Sequence, residues 1–343
     1  PWDGPAAMGF TDGVMVGAML DRNGLRPSRY YVTSDNQLIL ASEVGVLDVA
    51  PEKIVYKGRL EPGRMLLVDT QEGRIIDDKE IKEKITTEHP YRDWLNKYQV
   101  RLQDVADPKP EQVFKSDPAR LLTYQRVFGY TDEDIQMLIT PMAQDGIEAV
   151  GAMGNDASPA VLSTQPKLLF NYFKQLFAQV TNPPIDSIRE ELVTSTEVMV
   201  GAESNLLKPT ATSCHQIRLD YPFLTNQALA KIRHSKIPGF VSITLPILFN
   251  AGSGGAGLER GLDELFKAAD AAIKRGINLI ILSDRGVTDK QAPIPSLLAV
   301  SGLHHHLIRT GTRTQIGLIL ESGEPREVHH FASLISYGVT AIN

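Results

Sequence analysis

The order of apolar and polar positions divides the chain into three zones. In the first, residues 14–20, 29–33 and 37–42 are short β-type runs. Asp21, Arg22, Asn23 and Gly24 supply one turn between them, and Ser34, Asp35 and Asn36 supply another. Residues 53–56 and 64–69 form a second strand-like group, with turns at Glu61, Pro62, Gly63 and at Gln71, Glu72, Gly73. This zone predicts an antiparallel β segment, followed by a charged surface helix over residues 77–85.

The second zone, residues 124–193, predicts helices. Thr131 to Asp134 resembles a capping box that starts a short helix carrying Ile135, Leu138 and Ile139, and Pro141 is expected to stop it. Gly151, Gly154, Asn155 and Asp156 mark a tight polar loop. A longer helix is predicted from Pro166, with Leu168, Leu169, Tyr172, Phe173, Leu176, Phe177 and Val180 on one broad face. Thr181, Asn182, Pro183 and Pro184 end it, and Asp186 caps a further helix over Ile188 and Leu192. These elements carry no evident catalytic set and read as packing.

The third zone is a regular βα repeat. Strands are predicted over residues 241–249, 277–282, 314–320 and 339–342, with helices over 258–275, 294–309 and 324–337. Each helix ends in a glycine, at Gly276, Gly311 and Gly338, with apolar strand residues straight after. Continuous apolar strands with helical crossovers imply a parallel sheet covered on both faces.

Candidate chemistry is sparse. Gly252 to Gly257 (GSGGAG) follows a strand and opens a helix, so it satisfies the GxGxxG fingerprint, with Asp284 near the position of an acidic ribose contact. The corresponding function is a free-standing NAD(P)-binding oxidoreductase. The structural alternative is a mobile, exposed loop whose amides do not converge, and it is the preferred one, because short Gly- and Ser-rich loops match this pattern easily. Asp284, Arg285 and Glu321 fall at strand carboxyl ends, where open α/β sheets bind ligands, but an interface with adjoining domains is the preferred reading and they are not taken as a site. Five of the eight histidines lie at His304, His305, His306, His329 and His330. Three consecutive helical residues fan out over about 200° and cannot share one metal, so buried or interfacial histidines are expected. Cys214 and His215 are adjacent, but sequence neighbours rarely face each other, and a non-catalytic pair is expected. Polar residues 104–118 carry three prolines and read as an inter-domain connection.

The 343 residues suffice for about two domains, and 42% hydrophobic with 22% charged residues is ordinary globular composition. A net charge of -6 and a pI near 5.8 argue against a nucleic-acid partner. No apolar run reaches the ~20 residues of a membrane helix. No signal-peptide pattern is visible, and with the single cysteine the expected compartment is cytoplasmic. One cysteine excludes an internal disulfide and any all-cysteine metal or iron–sulfur site.

Three long irregular strings carry a resemblance. Residues 128–134 (FGYTDED), 151–156 (GAMGND) and 170–186 (FNYFKQLFAQVTNPPID) resemble the central domain of the glutamate synthase large subunit. Residues 20–27 (LDRNGLRP), followed by Ala41, Ser42 and Glu43, resemble the strand and turn pattern of class II glutamine amidotransferases, with residues 1–5 (PWDGP) resembling a segment just upstream. The stretch around residues 206–225 departs most from the family pattern.

The resemblance implies an α/β chain: an antiparallel amidotransferase segment over 1–95, then a central domain over 96–343. The central domain is expected to be helical to about residue 235, with βα repeats over 240–343. It implies that the parent enzyme converts glutamine and 2-oxoglutarate into two glutamates with a reductant. The amidotransferase chemistry needs an N-terminal cysteine whose thiolate attacks the amide while its free amine acts as base. Residue 1 is proline here, so the chain is expected to be a fragment without either catalytic centre, and without catalytic, cofactor-binding or metal residues of its own. Asp21, Arg22 and Arg26 could touch the glutamine pocket of the intact enzyme. The preferred reading is structural: Asn23 and Gly24 in a hairpin turn, Arg26 paired with a carboxylate. FMN and an iron–sulfur cluster are implied only for the full enzyme. The implied partners are the adjoining amidotransferase and FMN domains, and either ferredoxin or an NAD(P)H-oxidising small subunit.

Overall fold

The computed structural model describes residues 4–115, 117–149, 159–174, 185, 187 and 190–343. The chain divides into two compact units, Pro1–Tyr91 and Arg92–Asn343.

The first unit is antiparallel β, as its turn-punctuated apolar runs predict. Its strands are β1 (Ala7–Thr11), β2 (Met15–Leu20), β3 (Arg29–Thr33), β4 (Leu38–Ala41), β5 (Ile54–Arg59), β6 (Met65–Asp69) and β7 (Arg74–Ile76). They form two sheets, ordered β1-β2-β6-β7 and β4-β3-β5. A small core of Ala18, Leu20, Leu60 and Leu66 lies between them, with Tyr30 and Leu38 against it. Because β2 and β3 belong to different sheets, Asn23 and Gly24 do not close a hairpin, contrary to expectation. Asp21 shapes the crossing instead, accepting hydrogen bonds from the amides of Ala6 (3.2 Å), Asn23 (3.1 Å) and Leu25 (3.2 Å). Helix α1 (Asp78–Thr87) follows with Asp77 as its cap, accepting from the Lys79 amide, and α2 (Tyr91–Tyr98) comes next.

The second unit is built on one four-stranded parallel sheet. Before it come β8 (Val100–Arg101), α3 (Leu121–Val127), α4 (Thr140–Asp145), α5 (Glu190–Val193), β9 (Val198–Val200), β10 (Ile217–Leu219) and α6 (Asn226–Arg233). The repeat zone then gives β11 (Ser242–Pro246), β12 (Leu248–Asn250), α7 (Gly254–Lys274), β13 (Leu279–Ser283), β14 (Gln291–Pro293), α8 (Ser296–Arg309), β15 (Gly317–Glu321), α9 (Val328–Ser336) and β16 (Ala341–Ile342). The main sheet runs β11-β13-β15-β16, all parallel, and β12 and β14 form a separate antiparallel ribbon.

Side-chain alternation decides which face meets what. Leu245, Ile280, Leu282, Leu318, Leu320 and Ile342 pack with Leu265, Ala269, Leu303, Leu307 and Leu334 of the crossover helices. Leu279, Ile281, Ile319 and Ala341 point the other way, onto Val200, Ile217 and Leu219 of the small β8-β10-β9 sheet and onto Leu229 and Ile232 of α6. Both faces are therefore dry, and the strands need the continuous apolar runs that the sequence carries. Gly276, Gly311 and Gly338 end the three helices with positive φ. At Gly338 a second requirement applies: an added Cβ would lie 2.1 Å from the His304 ring.

Two expectations in the helical zone change, and one holds. Thr131 and Asp134 do form a reciprocal capping box, each backbone amide bonding the other's side chain at 3.0–3.1 Å. Pro141, however, does not stop the helix. A π-helical stretch (Asp134–Ile139) runs directly into α4, which ends at the left-handed Gly146. The wider π turn lets the Thr140 amide reach back five residues to the Ile135 carbonyl and makes room for the proline ring. The helix predicted from Pro166 is replaced, within the described residues, by a short 3-10 helix (Leu169–Phe173), after which Lys174 is extended. Packing overrides helical periodicity here: Phe170 is fully buried and stacks on the His330 ring, with centroids 4.3 Å apart. The loop at Gly151, Gly154, Asn155 and Asp156, the helix positions Leu176, Phe177 and Val180, the terminator at residues 181–184, and Asp186 and Ile188 lie outside the described residues.

Residues 104–118, expected as an inter-domain connection, belong to the second unit and are tied to it. Asp107 pairs with Lys231 at 3.1 Å, and the Arg285 guanidinium stacks on the Phe114 ring at 3.3 Å.

Candidate functional site

The carboxyl ends of β13 and β15 gather the polar buried residues of the second unit. Each strand runs out of apolar residues at the same level, so Ser283, Asp284 and Arg285 face Glu321, Ser322 and Gly323 across the register pair Ser283–Glu321. Glu321 is only 3% exposed yet fully partnered. Ser283 Oγ (2.6 Å) and Arg233 Nη2 (2.7 Å) donate to one carboxylate oxygen, and Arg285 Nε (3.0 Å) donates to the other. Burial pushes its carboxyl upward, but the Ser283 hydroxyl and the two guanidinium groups outweigh it and hold the group below the usual range.

Asp284, one strand over, has the opposite balance. Its carboxylate accepts from the Gly323 amide at 3.2 Å, and among the described residues it makes no ion pair. Burial pushes its carboxyl up to about 7, with the Ser322 hydroxyl and the Gly323 amide pulling back only in part. The neighbouring cations are engaged elsewhere: Arg285 on Glu321, and Arg326 on Asp134 at 3.0 Å.

Arg326 closes this edge. At 3% exposure it donates to the carbonyls of Phe128 and Gly129 while its plane covers the Tyr130 ring at 3.8 Å. Tyr130 in turn donates its hydroxyl to the Gly323 carbonyl at 2.9 Å. The segment around α3 and the π turn is thereby held over the strand ends, and a cavity of about 350 Å³ remains beneath it. Leu121, Phe128, Tyr130, Ile135 and Ile139 line one side, with Asp284 and Val287 on the other. A second cavity, of about 300 Å³, lies along α6 and β10. Two of its cations are already neutralised, Arg218 by Glu197 and Lys231 by Asp107.

Comparison with known proteins bears on both units. Residues 123–343 match the glutamate synthase central domain, and residues 1–94 match class-II glutamine amidotransferases. The chain belongs to the glutamate synthase family. It is 52% identical over its whole length to the glutamate synthase [NADPH] large chain of Bacillus subtilis (strain 168), covering 22% of that protein. It is also 43% identical to glutamate synthase [NADH] of Schizosaccharomyces pombe, covering 17% of it. Against the ferredoxin-dependent glutamate synthase 2 of a Synechocystis strain the identity is 44%, covering 22%. The chain thus spans about a fifth of the length of the relatives it matches.

Within this chain, the sequence candidates fall in separate places. Gly252, Gly254, Gly255 and Ala256 are exposed as expected, but Gly254 to Gly257 form the first turn of α7 instead of a loop. Gly257 and Gly261 are buried, and a Cβ at Gly261 would stand 3.1 Å from Phe249 of β12. The glycines let α7 lie close on the ribbon. Asp284 lines a cavity that none of residues 252–257 touches, so the dinucleotide reading gains no support. The signal that identifies this role was present: Gly257, Gly261, Leu265 and Ala269 recur every four residues along one helical face.

The histidines are dispersed. His304 Nδ1 accepts from Arg313 at 2.9 Å, and burial, then the nearby Arg313 charge, pushes its pKa down. His306 bonds Asp270 at 3.0 Å and stacks on Phe266, while His305 stands edge-on to His304. His329 meets the Phe170 carbonyl. His330 lies 3.0 Å from Glu327, whose carboxyl it holds down at about 2. Among the described residues no group of three or more His, Cys, Asp or Glu side chains is placed to hold a metal. Cys214 sits in a 3-10 turn (Ala211–Cys214), and the neighbouring His215 ring packs on Phe240 at 4.3 Å. In the first unit Arg26 donates to the Pro5 carbonyl at 3.4 Å rather than pairing with a carboxylate, and Arg22 is half-buried.

Sequence reasoning missed Arg326, Tyr130 and Glu324. Glu324 is buried and accepts from the Ser296 amide at 2.7 Å and its hydroxyl at 2.5 Å, which caps α8 from the next strand loop. A buried polar residue with distant partners leaves no local pattern in the sequence.

Proposed function

We propose that this chain is the connecting part of a glutamate synthase large chain, whose activity is the formation of two L-glutamates from L-glutamine and 2-oxoglutarate with a reductant. The observation that carries this reading is the succession of the two matches along one chain, amidotransferase then central domain, together with end-to-end identity to a large chain. In this role residues 1–95 complete the amidotransferase domain and residues 96–343 form the central domain. Ammonia released at the amidotransferase centre would pass internally toward an FMN centre carried elsewhere in the enzyme. The buried Glu321 and Arg326 networks suit a rigid spacer.

The residues present do not fit an iron–sulfur cluster, which takes four cysteine ligands in its common forms, because the chain holds Cys214 alone. No step is derived through a cluster or through FMN. The partners in this reading are the flanking amidotransferase and FMN domains. The electron donor is ferredoxin, NADH or NADPH, all three of which occur among the relatives' names. A cytoplasmic enzyme is the matching compartment. Among the described residues no helix is long and apolar enough to cross a membrane.

The test is segment exchange. These 343 residues replace the matching part of the Bacillus subtilis large chain, and glutamine-dependent NADPH oxidation with 2-oxoglutarate is measured. Retained activity is expected. A soluble chimera that keeps its flavin but forms no glutamate would overturn the assignment.

A further inference from the structure

We infer that the cavity beneath the π turn is a binding site for a small organic ammonium ion with an apolar body, its charge set against Asp284. Asp284 is 5% exposed and, among the described residues, has no cationic partner, while every other carboxylate at this edge is satisfied. An ionised carboxylate in such surroundings is costly unless a cation joins it. Two donors, the Gly323 amide and the Ser322 hydroxyl, occupy only part of its capacity of about four lone-pair sites. The open space next to it, about 350 Å³, is walled by Leu121, Phe128, Ile135, Ile139 and Val287. Apolar walls with a few polar groups are the usual make-up of a small-molecule site, and the carboxyl edge of a parallel sheet is its usual place. Arg285 also lines this space, but its charge is held by Glu321 at 3.0 Å. An anion is disfavoured, since both adjacent arginines are already paired, Arg285 with Glu321 and Arg326 with Asp134. A water-like polar solute would leave the walls unused. The space also exceeds what one inserted lysine or arginine side chain fills, which favours a free ligand over a charged side chain from a partner.

Binding has a proton signature. The carboxyl titrates near pH 7 when the cavity holds no cation, and an ammonium neighbour favours its charged form. Ligand uptake around pH 6.5 therefore releases a proton, and affinity rises from pH 6 to pH 8. Glu324 on the same edge opposes ionisation of Asp284, and Arg285 favours it. On the other wall, burial pushes the Tyr130 hydroxyl further up from its ordinary value, so it keeps its proton across this range.

The experiment uses phenethylamine as the probe and 2-phenylethanol as its uncharged counterpart, titrated calorimetrically into the intact polypeptide that carries these residues. Saturable phenethylammonium binding with Kd below about 1 mM at pH 8 is expected, with the alcohol at least about tenfold weaker. Asp284→Asn should weaken the amine to the level of the alcohol and leave the alcohol unchanged. Should that variant fail to fold, proton release by the unaltered protein, measured in buffers of different ionisation enthalpy, serves instead, and its absence counts against the site. No saturable binding up to 10-fold above that concentration, or equal amine binding in Asp284→Asn, would overturn the inference. Binding to the 343-residue chain but not to a longer protein containing it would also overturn it, and would point to a side chain of an adjoining domain as the natural cation.

Discussion

Asp284 makes the clearest single-residue test. In the unfolded chain its carboxyl titrates at 3.8, whereas in the folded chain it holds its proton to about 7. Between those values the folded state binds the extra proton, so stability falls as pH rises, by about 1.4 kcal/mol per unit at most. Asp284→Asn has no such slope. The variant should therefore gain on the parent protein by as much as ~4 kcal/mol between pH 4 and pH 8 in urea titrations. Parallel pH profiles for the two proteins would exclude the shifted carboxyl. Gly254 is the second residue to test. Its backbone lies at φ 54 and ψ -149, a region that side chains avoid, although nothing lies within 4 Å of where a Cβ would go. Gly254→Ala should thus cost about 1–3 kcal/mol through backbone strain alone, seen as a lower urea midpoint with an unchanged slope. A neutral substitution would mean that the junction relaxes freely.

Among the elements, the parallel sheet was the most legible. Its strands carry unbroken apolar runs, and each crossover helix closes on a glycine, so periodicity and punctuation agree at every step. The π turn was not legible, because Pro141 obeys a local rule that a wider turn evades. Nor was the short helix around Phe170, where burial against His330 outweighs a helical pattern. Strand β1 was missed because all five of its residues are exposed and no alternation marks it. The candidate edge was half legible: Asp284, Arg285 and Glu321 follow from strand ends, whereas Arg326 is identified only by its contacts. That clamp can be tested at the same scale. Arg326→Met leaves the Phe128 and Gly129 carbonyls without their donor and the Asp134 carboxylate without its cation, which should cost about 3–5 kcal/mol. Hydrogen exchange should show residues 121–145 losing protection ahead of the parallel sheet. Uniform loss across both would mean that the segment and the sheet open together.

For the whole molecule, the two units have unequal cores. The first keeps four side chains in its main cluster, the second two large clusters on either face of one sheet. Calorimetry of the chain should resolve two transitions, with the smaller, of roughly 60 kcal/mol by its length, at the lower temperature. One two-state transition would show that the units melt as one. A functional prediction belongs here too. The amidotransferase reaction needs a thiol on a residue with a free α-amine, and Cys214 lies inside the chain. The 343-residue chain should release no ammonia from glutamine above background. Ammonia release abolished by Cys214→Ala would contradict both the scaffold role and the structural reading of that cysteine.

The Arg326 clamp also sets a timetable for biosynthesis. Arg326 follows Phe128, whose carbonyl it holds, by 198 positions. At ribosomal speeds of about 5–20 residues per second, the segment it secures waits on the order of 10–40 s after leaving the ribosome before its anchor is made. During that interval Leu121, Phe128, Ile135 and Ile139 have no sheet edge to rest on, since β13 and β15 are also still to come. The nascent chain must shelter these side chains by transient collapse or through a chaperone. Slowing translation between these two points lengthens that exposure, so rare codons there should lower the soluble yield more than the same codons placed after Arg326.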